Sequence, residues 1–158
     1  KRKTSFLVDP NNKTYLTKYK DIIERQLKPE AKTDVINFFM ENKIKPTSMI
    51  DISDGLSSEI IHLCKNSGKG CIIYEEKLPI SVETHDTCKE FKLEPSTIAL
   101  SGGEDYELLF TINSTDLEKI QQNDEFSVIG YITKESDINL ITKDGKTTPI
   151  TSMGWKSF

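Results

Sequence analysis

With 158 residues, 35% of them apolar and 29% charged, the chain has the size of one ordinary domain and enough apolar content for a modest core. The net charge is −4 and the pI about 5.3, with Lys and Arg scattered among acids, so no basic footprint for nucleic acid emerges. No run reaches the ~18 apolar residues of a membrane span and no signal-peptide core opens the sequence. The three cysteines (Cys64, Cys71, Cys88) lack CxxC spacing and read as reduced thiols of a cytoplasmic protein.

The chain starts at Lys1 without an initiator methionine, which fits a fragment and fits processing equally. Residues 1–20 are polar and broken by Asp9-Pro10-Asn11-Asn12, so a linker or irregular arm is expected there, with an α+β domain over 21–158. Ile22, Ile23 and Leu27 give Tyr19–Leu27 a helical spacing that Pro29 stops. A second helix is expected over Thr33–Lys43, capped by Thr33 or Asp34. Ser48–Ile52 reads as a short buried strand. Leu56, Ile60, Ile61, Leu63 and Cys64 form one helical stripe between a turn at Gly55 and a stop at Gly68.

Cys71–Tyr74 reads as a strand, with Cys64 and Cys71 as small core residues, and Ser81–Phe91 as a weakly amphipathic helix. Leu100–Asp105 is expected as a loop that feeds a core strand over Tyr106–Ile112. A helix capped by Ser114 or Thr115 follows, then a strand over Phe126–Ile132. Ile138–Thr142 and Thr147–Ile150 read as a hairpin with a type I′ turn at Asp144-Gly145. Strands mixed with helices and a hairpin predict an α+β fold with a mixed β-sheet packed with helices.

Three places could carry chemistry. Asp51 and Asp54 lie three apart where a strand ends and a helix begins. Asp54 could cap that helix while Asp51 finishes a turn, both favoured by the positive helix end. Alternatively the two carboxylates are hard oxygen ligands of the kind Mg²⁺ takes, with Ser53 between them facing a phosphate. Gly102-Gly103-Glu104-Asp105 is either a bare turn with solvated acids or a backbone that a ligand approaches closely. Trp155, the only tryptophan, either packs on the domain or stacks on a planar or cationic ligand. Neither His62 nor His85 has a partner in sequence that would give it a role.

Taken together, three segments resemble the thiamine-monophosphate kinase family. Met49–Leu56 (MIDISDGL) resembles the signature of that family's second domain, and Ala99–Thr111 (ALSGGEDYELLFT) its second long motif. Gln26-Leu27-Lys28-Pro29-Glu30 is similar to the basic, proline-containing stretch ahead of the first motif, and Gly154-Trp155 to the terminal glycine–aromatic. The DISDG core alone indicates only the wider superfamily, which includes aminoimidazole ribonucleotide synthetase, selenophosphate synthetase and a hydrogenase-maturation protein. The resemblance implies the C-terminal domain of a two-domain kinase whose N-terminal ATP-binding domain is absent here, so the piece alone is expected to be inactive.

It further implies ATP-dependent phosphorylation of thiamine phosphate to thiamine diphosphate in thiamine biosynthesis, in a cytoplasmic enzyme that is a homodimer when whole. Position by position, it implies Mg²⁺ at Asp51 and Asp54, ATP against Ser53, and thiamine phosphate against Glu104 and Trp155. The competing expectations are another ATP-using member of the same superfamily and a non-catalytic ligand-binding module.

Overall fold

The computed structural model describes residues 17–151. Residues 1–16 and 152–158 lie outside them, and with them most of the expected arm and Trp155. In chain order the elements are α1 (Lys20–Leu27), α2 (Thr33–Glu41), β1 (Ser48–Asp51), α3 (Leu56–Ser67), β2 (Gly70–Tyr74), α4 (Val82–Phe91), α5 (Pro95–Ser101), β3 (Leu108–Thr111), α6 (Leu117–Gln121), β4 (Gly130–Thr133), β5 (Ile138–Ile141) and β6 (Thr147–Pro149). Single 3₁₀ turns at Glu75–Lys77 and Ser114–Asp116 follow β2 and precede α6.

The strands make a four-stranded mixed sheet ordered β4-β2-β5-β6 and a separate antiparallel ribbon of β1 and β3. Within the larger sheet β2 runs parallel to β5 and antiparallel to β4, and β5 turns back antiparallel into β6. The α+β class with a mixed sheet is therefore present.

α3 is the organising element, packing against α5, β1, β2 and β3. Its stripe supplies Leu56, Ile60 and Cys64 to a core completed by Ile52, Cys71, Ile73, Leu78 and Leu140. Each such aliphatic side chain removed from water stabilises the fold by about 1.5–3 kcal/mol. A second core joins Phe39 and Ile44 to Ile120, with Phe38, Phe110 and Phe126 packed around them. There Phe39 meets Phe110 edge-on at 4.9 Å between ring centroids, within the range aromatic pairs prefer.

Several expectations need correction. α2 starts after Lys32 with no side-chain cap, so neither Thr33 nor Asp34 caps it, and the turn before α6 is likewise uncapped by a side chain. β1 is not a buried strand: Met49 and Asp51 are exposed and alternate with half-buried Ser48 and Ile50, because the ribbon is covered on one face only. The Phe126–Ile132 strand pairs only from Gly130, since Phe126 and Val128 fill the second core instead. Leu100 and Ser101 belong to the helix α5 and not to a loop, with Pro95 at its favoured first position. The hairpin is real, but only Gly145 has positive φ (79°) while its amide donates to Thr142 O at 2.8 Å. A type I′ turn needs positive φ at both central residues, so the connection is a turn closed by a glycine bulge.

Candidate functional site

The two segments singled out in the sequence fold against each other. Asp51 ends β1 opposite Leu108 of β3, which brings the Ile52–Gly55 turn alongside Gly102–Glu107. Backbone hydrogen bonds zip them together: Ile52 N–H donates to Glu107 O (2.9 Å), Tyr106 N–H to Ile52 O (2.8 Å) and Glu104 N–H to Ser53 O (2.7 Å). The Ser57 hydroxyl adds a bond to Leu100 O.

Glycine is required at this joint for two different reasons. Gly55 sits at φ 115°, a region open to essentially no other residue, with Leu100 and Ser101 backbone close by. Gly103 needs no unusual φ; instead a Cβ there would lie 2.7 Å from Ser53 O. The positive φ values in the second segment fall on Glu104 (63°) and Tyr106 (57°) and not on the paired glycines. Non-glycine residues held there carry strain of order 1–3 kcal/mol, which the surrounding hydrogen bonds sustain.

The carboxylates of Asp51 and Asp54 are exposed, and neither has a hydrogen-bond or ion-pair partner among the described residues. Asp54 does not cap α3; the residue ahead of that helix is Gly55, and no side chain caps it. The Asp54 amide is instead satisfied by the buried carboxylate of Glu59, at 3.0 Å to Oε1. Glu59 escaped the sequence reading because it lies five residues beyond Asp54, outside the three-residue spacing of a capping box.

α1 and its following stretch close one side. Gln26 Nε2 donates to Glu104 Oε2 at 2.7 Å. Arg25 and Lys32 both pair with Glu107 Oε1, at 2.6 and 2.7 Å, and Arg25 lies 3.7 Å from Asp105. Partial desolvation pushes the Asp105 carboxyl above its ordinary range, and Glu107 adds to this while Arg25 and Lys32 oppose it. A groove of about 360 Å³ lies here, walled by Arg25, Lys28, Lys32, Asp105 and Glu107.

The structure thus unites Asp51, Ser53, Asp54 and Glu104 in one joint, while Trp155 lies outside the described residues. Two unengaged carboxylates suit a hard cation as oxygen donors. Among the described residues no three His, Cys, Asp or Glu side chains group closely enough to hold a metal. His62 and His85 are both exposed, on helices α3 and α4.

The fold is that of the aminoimidazole ribonucleotide synthetase-like class. The solved structure of AaThiL complexed with AMPPCP and TMP superposes with a TM-score of 0.65 at 33% identity, covering 81% of this chain and 38% of that one. The chain is homologous to the thiamine-monophosphate kinases: it is 36% identical to that of Aquifex aeolicus over 118 residues and 34% identical to that of Pyrococcus abyssi over 142. These matches cover 69% and 87% of this chain. The chain spans only 38–41% of the length of these relatives. No protein-family model matches it.

Proposed function

We propose that these residues form the C-terminal part of a cytoplasmic thiamine-monophosphate kinase that transfers the γ-phosphoryl group of ATP to thiamine phosphate. The observation that carries the proposal is the pair of unengaged carboxylates, Asp51 and Asp54, on a turn whose backbone is tied to the Glu104 segment. The uncapped α3 excludes a structural role for Asp54 as helix cap, and the Asp51 carboxylate bonds to no turn among the described residues. Homology to kinases, one of them solved with an ATP analogue, supports the same reading.

In this proposal Asp51 and Asp54 hold Mg²⁺ together with ligands from the remainder of the polypeptide, and Ser53 faces the nucleotide phosphates. Bound there, Mg²⁺ would neutralise phosphate oxygens that must approach one another. Glu104 opposes the cationic or amino-bearing part of thiamine phosphate, and Trp155 stacks on one of its rings. The acceptor needs no general base: a phosphate monoester has a second pKa of about 6 and is mostly ionised at neutral pH. The chain's part in catalysis is therefore positioning, which the zipped joint provides. The intact enzyme is expected to be a homodimer.

The test is a transfer assay with ATP, Mg²⁺ and thiamine phosphate on this chain and on the full-length polypeptide side by side. Formation of thiamine diphosphate by the full-length polypeptide alone is the expected result. No transfer by either overturns the proposal.

A further inference from the structure

We infer that Glu59 is a positioning residue that fixes the Asp51–Asp54 turn for metal binding, an inference that rests on the Mg²⁺ site proposed above. The carbonyl of Ser53 and the amide of Asp54 belong to one planar unit. Its oxygen accepts from Glu104 N–H at 2.7 Å and its N–H donates to Glu59 Oε1 at 3.0 Å. Both ends of the plane are thereby held, and the two residues it joins are the ones assigned to the nucleotide phosphates and the cation.

Nothing in the core calls for an acid at this position. Glu59 is 2% exposed, in the first turn of a helix whose Leu56, Ile60 and Ile61 are buried beside it. Placing a carboxylate there is costly unless it is hydrogen-bonded, and an apolar side chain of similar length would serve packing better. The positive end of α3 offsets part of that cost. What the acid gains is reach: from inside the helix it extends back past Gly55 to the Asp54 amide, which no group of the Glu104 segment holds. Gly55 at φ 115° contributes no side chain at the end of this turn next to the helix. Without Glu59 the peptide is held at its oxygen alone, and Asp54 is free to rotate relative to Asp51.

The experiment is a titration of the full-length polypeptide with Mn²⁺ alone, free ion read by electron paramagnetic resonance, with folding followed by circular dichroism. Glu59→Met keeps the length and loses the acceptor; its Mn²⁺ affinity is expected to fall about 10–100-fold, the usual scale for losing a group that orients a metal ligand. Glu59→Gln keeps a carbonyl acceptor and is expected to restore affinity to within about threefold. Should Glu59→Met not fold, Glu59→Asp withdraws the carboxylate by one methylene and is expected to weaken binding about tenfold. Variants that fold less stably yet bind Mn²⁺ like the wild type make Glu59 a packing residue and overturn the inference alone. A wild-type polypeptide that binds no Mn²⁺ overturns the metal site itself, and this inference with it.

Discussion

Replacing Gly103 with alanine tests whether the two motif segments are joined by direct backbone contact. The added Cβ would stand 2.7 Å from Ser53 O, where ordinary contact begins at 3.4 Å, so the segments must separate by about 0.7 Å. The neighbouring Glu104 N–H to Ser53 O bond is 2.7 Å long, and an opening of that size carries it to about 3.4 Å, beyond hydrogen-bond range. Overpacking of this kind costs about 1–3 kcal/mol and a lost hydrogen bond about 0.5–1.5. Because φ at Gly103 is not positive, alanine returns about 0.4–1 kcal/mol by stiffening the unfolded chain. The expected loss is about 0.5–4 kcal/mol, read by urea unfolding. Gly68→Ala is the control, with φ 59° and open space around it, and should cost about 1–2 kcal/mol for the left-handed conformation alone. Hydrogen exchange separates the causes: the Glu104 amide should lose protection in Gly103→Ala and keep it in Gly68→Ala. A stability change below about 0.5 kcal/mol with the Glu104 amide still protected would show that the two segments are not in direct backbone contact.

Asp51→Asn in the full-length polypeptide should lower turnover at least about a hundredfold, the scale of losing one charge-stabilising group. Because Asp51 is exposed and its carboxylate has no partner among the described residues, stability should move by no more than about 0.5 kcal/mol, and near-normal turnover would count against the metal role. Glu75 accepts from the Ser96 hydroxyl and from Lys143 N–H at 2.9 Å, tying the β5–β6 turn to α5, and these bonds hold its carboxyl below the ordinary 4.5. A lowered native pKa stabilises above the unfolded value, so this contribution should be intact above about pH 4.5 and vanish as pH falls through the native value. Glu75→Gln should flatten that part of the pH–stability curve; an unaltered curve would refute the linkage. Burial, aided by the Cys64 thiol beside it, pushes Cys71 up to about 12, and burial also raises Cys64 and Cys88. All three should resist Ellman's reagent in the native chain and react on unfolding; fast native labelling of any of them would contradict the burial.

How legible each part was depends on whether the sequence signal is local. α3 could be read because its apolar stripe, Gly55 and Gly68 are consecutive in the chain, and β2 and the β5–β6 pair because short apolar runs are bounded by turn residues. α5 was missed since seven residues give too little periodicity, although Glu94-Pro95 marked its start. Phe126 and Val128 looked like strand residues by composition, yet a distant cluster around Phe39 claimed them. The same division governs the joint. Asp51, Asp54 and Glu104 were visible as acids beside glycines, but Glu59 and Gln26 act across five and seventy-eight residues, and only the fold brings them to Asp54 and Glu104.

Glycine and acid have exchanged the roles that local rules assign them. The sequence rule gives Asp54 to the helix cap and positive φ to the paired glycines. Here the buried Glu59 satisfies the Asp54 amide, and Glu104 and Tyr106 take the left-handed conformations. Leaving Asp54 out of the cap keeps its carboxylate unengaged, and keeping Gly103 free of a side chain lets the Ser53 carbonyl reach Glu104. A turn built only for stability would have used the aspartate as its own cap and placed glycine where φ is positive. Departures from local preference that meet at one joint, at the cost of strain and a buried carboxylate, are what the proposed metal site would require of its scaffold.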